Sequence, residues 1–192
     1  MNDRARAVAG SAAASVDPDL AAVRAAQRDR SAFAWLYRRY LDRVYAYAFY
    51  RLGDHHDAED ATERVFLQAM RALPTFDERG ASFRAWLFTI AHHTVANVHR
   101  GRARSRSVAM PDGFDWPAPD SDPAGVVGRA DELRAVLRAL GRLSEERQQV
   151  ILLRFVEGLS SAETAEVLGR SPAAVRVLLH RALRDLSRHV AR

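Results

Sequence analysis

A basic helix that begins near Pro172 carries the side chains best suited to binding nucleic acid. One of its faces is apolar at helical spacing, which predicts packing on the rest of a domain. The opposite face and its flanks mix arginine with smaller residues: Ala173, Arg176, Val177, His180, Arg181 and Arg184. Arginine can bond guanine edges or phosphates, and small apolar side chains can touch thymine methyl groups. This face therefore predicts contact with the major groove of DNA.

A second polar cluster lies in the helix predicted after Gly80. His93, Asn97 and Arg100 fall on one face of that helix, which we expect to run to about Val98. Arginines then alternate with small residues at positions 100, 102, 104 and 106. Such alternation suits a tail that follows a nucleic-acid backbone, because each guanidinium can neutralise a phosphate.

Metal binding and covalent catalysis find little support in the sequence. The pairs His55–His56 and His92–His93 place neighbouring side chains about 100° apart on a helix, so each pair chelates one ion poorly. An H-E-x-x-H motif, a P-loop, a nucleophile elbow and a Gly-rich dinucleotide fingerprint are all missing. The absence of Cys removes disulfides and Cys-ligated metals. We expect no metal, no cofactor and no enzymatic activity.

The composition favours a DNA-binding protein of the cytoplasm. The chain has 192 residues, enough for one or two small domains, and a net charge of +5. All 29 basic residues are arginine, which suits bidentate phosphate and guanine contacts and is also typical of a GC-rich genome. No apolar run approaches the length of a membrane span, and residues 1–16 lack the apolar core of a secretory signal.

Capping signals divide residues 144–190 into three helices. Ser160 and Glu163 form a capping box at the start of the second helix, and Gly169 can take the left-handed conformation that ends it. The other signals are the N-cap residues Ser144 and Ser171 and the stop at Gly158. A short helix, a tight turn and a longer basic helix make a helix-turn-helix. The alternative is a three-helix bundle with a solvated basic face.

Four apolar-periodic segments lie in residues 17–106. The first starts at Asp17, the second and third cover residues 31–52 and 54–73, and the fourth begins near Ser82. Aromatic and aliphatic residues of these segments at helical spacing are expected to form the core: Phe33, Leu36, Tyr37, Tyr40 and Trp86. The fold class is therefore all-α, with two small helical domains.

Composition also sets the domain boundaries. Residues 1–16 show little periodicity and are expected to be disordered. Residues 17–106 form the first domain, and residues 131–192, which begin with another apolar-periodic helix, form the second. Between them, residues 107–130 hold four Pro, three Gly and four Asp against one Arg, which predicts a flexible acidic linker.

The helix-turn-helix sequence resembles that of bacterial sigma factors, the promoter-recognition subunits of RNA polymerase. The resemblance lies in GLSSAETAEVLGRSPAAVRVLLHRALRDL, which is similar to the family's C-terminal DNA-binding region. It implies that this domain binds the upstream (−35) promoter element as duplex DNA. The implied contact residues are Arg170, Ser171, Ala173, Ala174, Arg176, Val177, His180, Arg181 and Arg184.

The third segment also resembles the family. DAEDATERVFLQAMRAL is similar to the sigma helix that docks on the clamp of the polymerase. The resemblance implies that Asp57, Asp60, Glu63, Phe66 and Gln68 lie at or near that contact. The alternative explanation of the acidic residues is simple complementation of the helix dipole, which favours negative charge in a first turn.

The fourth segment resembles the sigma region that opens the promoter and reads its downstream (−10) element. The similarity runs from Phe83 through FRAWLFTIAHHTVANVHRGRARSR. It implies a set of contacts to single-stranded DNA, with His93 where the family often has Asn. That set is Arg79, Gly80, Ser82, Arg84, His92, His93, Asn97, Arg100, Arg102 and Arg104.

Two matching regions in the family's order identify the chain as a member of the extracytoplasmic-function group of sigma factors. The resemblance implies three partners: the clamp and flap regions of core RNA polymerase, promoter DNA in duplex and single-stranded form, and an anti-sigma protein of the kind that commonly holds family members. No membrane partner is implied. Two other functions stay open, a helix-turn-helix regulator that binds duplex DNA without polymerase and an enzyme fused to a DNA-binding tail.

Overall fold

The computed structural model describes residues 17–77, 81–105, 136 and 138–190. All regular structure in these ranges is helical, which confirms the all-α prediction. The predicted disordered extension and the predicted acidic linker lie outside the described residues, and so does the start of the second domain before Val136.

The N-terminal unit contains four α-helices. They are α1 (Leu20–Arg28), α2 (Phe33–Leu52), α3 (His55–Ala72) and α4 (Phe83–Ser105), with short 3-10 turns at Arg30–Ala32 and Leu73–Thr75. Gly53 ends α2 in the left-handed conformation, with φ of 67°. Asp54 then caps α3, because its side chain accepts a hydrogen bond of 2.9 Å from the backbone N–H of Asp57. The boundary between α2 and α3 agrees with the sequence prediction.

The core of this unit forms where α2, α3 and α4 pack together. Leu36, Val44 and Val65 are fully buried there, and Leu87 and Phe88 of α4 close the cluster. Two of the expected core residues, Tyr37 and Trp86, are only partly buried. Tyr37 keeps 39% of its surface exposed, so its placement in the core was wrong.

Helix α4 is longer than the sequence predicted. It continues past Val98 to Ser105, because tertiary contacts stabilise its basic end. Arg102 donates a hydrogen bond of 2.7 Å to the carbonyl oxygen of Leu52 and forms an ion pair with Asp57. Residues two apart on a helix point about 200° apart. Arg100 and Arg102 therefore lie on different sides of α4 instead of following one another along an extended chain, and their contact with a nucleic-acid backbone stays a prediction.

The C-terminal unit has the predicted helix-turn-helix. Residues 138–141 are helical, and α5 (Glu145–Ile151), α6 (Ser161–Leu168) and α7 (Pro172–Val190) follow. The capping box of Ser160 and Glu163 is present in both directions, with bonds of 3.1 Å and 2.7 Å. Gly169 has φ of 61°, which places α6 and α7 on either side of a tight turn.

The first helix of this unit departs from the prediction. Ser144 occupies the cap position but its side chain makes no capping hydrogen bond. A π-helical turn at Leu152–Val156 follows α5, and its wider spacing changes which side chains face inward. Leu153 is fully buried, whereas Phe155 two residues later is 61% exposed.

Candidate functional site

The outward face of α7 is open to solvent. Val175 and Ala182 on the opposite face are fully buried, which fixes the rotation of the helix. The predicted duplex-binding residues on the outward side are exposed: Arg170, Ser171, Ala173, Arg176, Val177, His180, Arg181 and Arg184, with Ala174 half-buried beside them. Arginines and small side chains thus share one accessible surface, which is what major-groove contact requires.

Contacts at both ends hold α7 in place. At its start, the Ser171 hydroxyl accepts a hydrogen bond of 3.2 Å from the backbone N–H of Ala174. Farther along, Asp185 forms an ion pair with Arg147 of α5. The turn before α7 is tied to α5 as well, because Arg170 pairs with Glu146. The basic face therefore lies on a helix that these contacts hold in a fixed position.

Helix α4 presents the second predicted face. His93, Asn97 and Arg100 are exposed on one side of the helix, as the sequence predicted. Arg100 donates a hydrogen bond to the side-chain oxygen of Asn97. This leaves the amide nitrogen of Asn97, the imidazole of His93 and the charge of Arg100 on the same surface.

His92 points elsewhere. It is half-buried, and its Nδ1 lies 3.4 Å from the hydroxyl of Tyr47. Burial lowers the pKa of His92 to about 4, and the neighbouring charges of His93 and Arg51 act in the same direction. A neutral, partly enclosed His92 does not share the exposed face of His93, so the structure does not bring these two predicted contacts together.

Ser82 and Arg84 contact the C-terminal unit. The Ser82 hydroxyl donates to a carboxylate oxygen of Glu163, the same residue that completes the capping box of α6. Arg84 lies 3.7 Å from Glu163 and donates a hydrogen bond of 3.3 Å to the carbonyl oxygen of Gly158. The start of α4 therefore packs against α6. The predicted partners Arg79 and Gly80 lie outside the described residues.

A buried ion pair joins the two units. Glu157 is only 1% exposed, and its carboxylate lies 2.9 Å from the guanidinium of Arg43 on α2. Arg43 also donates a hydrogen bond of 2.8 Å to the carbonyl oxygen of Glu157. Burial raises the pKa of Glu157 from 4.5 to about 7, although Arg43 and Arg84 oppose this shift. The desolvation cost of the carboxylate thus exceeds its attraction to the two arginines.

Glu157→Gln should change how stability depends on pH. In the wild type, the folded chain binds a proton at Glu157 more readily than the unfolded chain between pH 4.5 and about 7. Stability from this group is therefore lost as the pH rises through that window. The free energy of unfolding of Glu157→Gln, relative to that of the wild type, should therefore rise by up to about 3 kcal/mol between about pH 5 and about pH 8.

Urea unfolding of both proteins at the two pH values measures this difference. The pKa of His92 is lowered in the folded chain, so its contribution to stability increases as the pH rises. This contribution is the same in both proteins and cancels when their free energies of unfolding are subtracted. A difference in unfolding free energy that stays constant with pH would show that Glu157 ionises in the folded chain as it does in the unfolded one.

A groove of about 510 Å³ lies between α2 and α3 and is called the α2–α3 groove. Phe66 forms part of its floor, with its ring centroid 4.7 Å from that of Tyr37. Tyr37 and Leu67 are both 39% exposed and supply apolar surface at the groove. Its acidic lining residues are Asp42, Glu59 and Glu63. An apolar floor with an acidic rim suits a partner helix that is apolar on one side and basic on its flanks.

Only part of the predicted docking set lies in the α2–α3 groove. Glu63 and Phe66 line it, whereas Asp57 pairs with Arg102 and Asp60 lies 3.7 Å from Arg64. Gln68 is exposed beside α4 instead. Sequence reasoning missed Tyr37, Glu59 and Leu67. One signal was available in the sequence. Leu67 is apolar but does not share the helical spacing of the buried residues of α3, which indicates an apolar side chain at the surface.

Two further classes of site were sought in the described residues. No group of three or more His, Cys, Asp or Glu is arranged there to hold a metal ion. No helix in the same part of the chain is long and apolar enough to cross a membrane.

Family models match both halves of the chain. Residues 36–105 match Sigma-70 region 2, and residues 133–186 match Sigma-70, region 4. The first match contains α3 and α4 with most of α2, and the second contains the helix-turn-helix. The two candidate DNA faces thus fall in two different regions of one family.

Individual relatives agree with the family models. The chain is 38% identical over 165 residues to the ECF RNA polymerase sigma factor BldN of Streptomyces coelicolor, which covers 86% of this chain and 62% of BldN. It is 36% identical over 138 residues to the ECF RNA polymerase sigma factor ShbA of Streptomyces griseus, covering 70% of this chain and 72% of ShbA. The chain therefore spans less than two thirds of the length of BldN.

A solved structure shows the same fold. CnrH, determined in complex with the cytosolic domain of CnrY, superposes with a TM-score of 0.64 at 29% identity, covering 88% of this chain and 94% of CnrH. Sequence, family models and fold lead to one assignment. The chain belongs to the extracytoplasmic-function group of the sigma-70 family.

Proposed function

We propose that this chain binds core RNA polymerase and directs it to promoters. Residues 17–106 act as the sigma region 2 domain, which docks on the polymerase clamp and reads and melts the −10 element. Residues 131–192 act as the region 4 domain, which binds the −35 element near the polymerase flap. Residues 107–130 connect the two domains.

The observation that carries the proposal is the presence in one chain of two exposed faces whose side chains suit two different forms of DNA. The α7 face combines Arg176 and Arg184 with Ala173 and Val177, a mixture suited to base edges in a major groove. The α4 face combines His93 and Asn97 with the charge of Arg100, which suits bases already outside the stack. A regulator of duplex DNA would need only the first face.

Promoter opening follows from the chemistry of the α4 face. A base that leaves the stack costs a few kcal/mol, which hydrogen bonds and stacking on the protein can offset. His93 and Asn97 supply those contacts, while Arg100 neutralises the separated backbone. Ser82 and Arg84 bind Glu163 in this structure, so the two units must move apart before these residues reach DNA.

Partners and location follow from the same role. Sigma factors are generally non-enzymatic subunits, so the catalytic site belongs to the polymerase and the chain acts with it in the cytoplasm. CnrH is bound to the cytosolic domain of CnrY in its structure. By analogy, this chain would also bind a protein partner, of the anti-sigma kind that the family resemblance implies.

Reconstitution tests the proposal. The purified chain should co-purify with core polymerase and should make that polymerase start transcription at specific promoters in genomic DNA. Omission of the chain is the control and should abolish those start sites. Binding to two-fold symmetric duplex sites, without polymerase binding, would overturn the proposal in favour of a helix-turn-helix regulator.

A further inference from the structure

Residues 17–28, called the α1 segment, contact both ends of the connection between α3 and α4. At the end next to α3, the side-chain amide of Gln27 donates hydrogen bonds of 3.1 Å to the carbonyl oxygen of Leu73 and 3.0 Å to that of Phe76. These carbonyls belong to the first residue of the 3-10 turn and to the residue just after it. A single half-buried side chain therefore fixes the path of the chain as it leaves α3.

Asp17 holds the other end of the connection. The first backbone N–H groups of a helix have no partner within the helix. At the start of α4, the carboxylate of Asp17 accepts a hydrogen bond of 2.6 Å from the N–H of Phe83. Its other oxygen accepts a hydrogen bond of 3.0 Å from the N–H of Asp19. One carboxylate thus ties the start of α1 to the start of α4, where the helix dipole also favours its negative charge.

The α1 segment is itself anchored to α2. Asp19 is only 1% exposed, accepts a hydrogen bond from the hydroxyl of Tyr40 and lies 2.7 Å from the guanidinium of Arg39. Hydrogen bonds to a carboxylate are roughly twice as strong as those between neutral groups. Val23 and Ala26 are buried and fix the rotation of α1. The contacts of Asp17 and Gln27 are therefore made from a fixed support.

Aromatic packing joins the two ends of the connection. The ring centroids of Phe76 and Phe83 lie 6.1 Å apart in an edge-on arrangement. The ring of Trp86 lies 4.9 Å from that of Phe76 and 5.6 Å from that of Phe83. A displacement of either end would disturb this packing and shift the other end.

The start of α4 carries Ser82 and Arg84, two residues of the predicted strand-binding set. Both contact Glu163 of the C-terminal unit in this structure. Asp17 and Gln27 lie in the same unit as α4, so their contacts remain when the two units separate. Binding groups need supporting contacts that hold them within about 0.5 Å of the required geometry. After separation, the α1 segment provides this support at the start of α4.

We propose that Asp17 and Gln27 are positioning residues for promoter opening. They hold the start of α4 in the place where Ser82 and Arg84 meet the separated strand, and they act through the backbone of the connection. The inference rests on the proposed function and adds two residues that no contact set predicted from the sequence contains. Their loss should slow opening and leave polymerase binding unchanged.

The test of Asp17 uses the complete chain bound to core polymerase on a promoter that the wild type opens. Asp17→Ala should slow opening, followed by permanganate reactivity of unpaired thymines, about tenfold, because small displacements of binding groups have effects of this size or larger. Affinity for polymerase and formation of the closed complex should not change. Asp17→Asn keeps an acceptor oxygen for the N–H of Phe83 and should recover much of the lost rate.

Gln27→Glu tests the other end of the connection. It keeps the size of the side chain but places a carboxylate, which cannot donate, against the carbonyl oxygens of Leu73 and Phe76. Opening should slow by a similar factor. Ala25→Glu makes the same charge change at an exposed position of α1 and is the matched control, which should open the promoter at the wild-type rate.

A stability control separates positioning from folding. Val65→Ala leaves a cavity at a fully buried site of α3 and removes no contact of the α1 segment. All variants are compared at a temperature at which circular dichroism shows them folded. Val65→Ala should lower the melting temperature and still open the promoter at the wild-type rate.

Three results would overturn the inference. One is wild-type opening by both Asp17→Ala and Gln27→Glu. Another is opening by Asp17→Asn that is no faster than that of Asp17→Ala. The third is slow opening by Val65→Ala in proportion to its melting temperature, which would make the effect one of stability alone. Failure of the proposed function is distinguishable, because the wild-type chain would then neither bind polymerase nor open any promoter.

Discussion

The double substitution Tyr37→Ser and Glu63→Arg should remove stable binding to core polymerase. Tyr37 offers exposed aromatic surface in the α2–α3 groove, and Glu63 contributes to its acidic rim. Buried aromatic anchors and desolvated charged groups at protein interfaces each contribute about 2 kcal/mol or more. Together the changes should cost about 4 kcal/mol, which is roughly a thousandfold loss of affinity.

Titration of labelled polymerase with the variant measures this loss. Glu166→Arg makes the same charge change on an exposed position of α6, away from the α2–α3 groove, and should leave the affinity near that of wild type. Asp60→Arg is an informative third variant. Asp60 belongs to the docking set implied by the family resemblance but does not line the α2–α3 groove. A larger loss in Asp60→Arg than in the double variant would favour the sequence-based set over the groove.

Phe66 is unsuitable for this test, although the sequence made it an attractive choice. It is 5% exposed, and its ring packs edge-on against Phe33 and Tyr37. Truncation to Ala would leave a cavity and cost about 3–5 kcal/mol of stability. Failure of that variant to bind polymerase would therefore report unfolding as readily as the removal of an interface side chain. Tyr37 and Glu63 sit at the surface and avoid this ambiguity.

Local signals in the sequence were sufficient to predict most helix boundaries. Gly53 and Gly169 end helices in the left-handed conformation, and Asp54 and Ser160 start helices by capping them. Each signal acts within three or four residues of the chain. Tertiary structure therefore had little opportunity to override it, and the helix-turn-helix was predicted correctly for the same reason.

The errors arose where distant residues decide the outcome. Helix α4 extends to Ser105 with Arg102 bonded to Leu52, a residue 50 positions earlier. The sequence also carries no signal of the π-helical turn at Leu152–Val156, where Phe155 is exposed, because spacing rules assume an ordinary α-helix. The ion pair of Arg43 with Glu157 spans 114 positions. Such pairings depend on how two separately formed units pack.

The candidate sites divide in the same way. The exposed faces of α7 and α4 could be predicted, since an amphipathic helix identifies its own solvent side. The division of α3 into an acidic, apolar side and a basic side could not, because it depends on which neighbouring helix covers each face. Glu63 lies in the groove beside α2, whereas Gln68 lies beside α4. Both placements depend on how α2 and α4 pack around α3.

The double substitution Arg176→Ala and Arg184→Ala should greatly weaken binding to duplex DNA selected by the wild-type chain. Both side chains are exposed on the outward face of α7, whereas the residues that hold this helix to its domain lie on the other side. Folding should therefore be unaffected, and an unchanged melting temperature would confirm this. Removal of a guanine-binding arginine should cost about 1–3 kcal/mol at one base position.

The salt dependence separates the two kinds of contact these arginines can make. Removal of a phosphate-binding arginine lowers the slope of log affinity against log salt by about one unit and weakens all sequences alike. Removal of a guanine-binding arginine relaxes the preference at one position instead. Arg142→Ala removes an exposed arginine of the same unit outside the helix-turn-helix and is the matched control. If the double variant keeps both the affinity and the salt slope of that control, α7 is not the helix that reads the duplex.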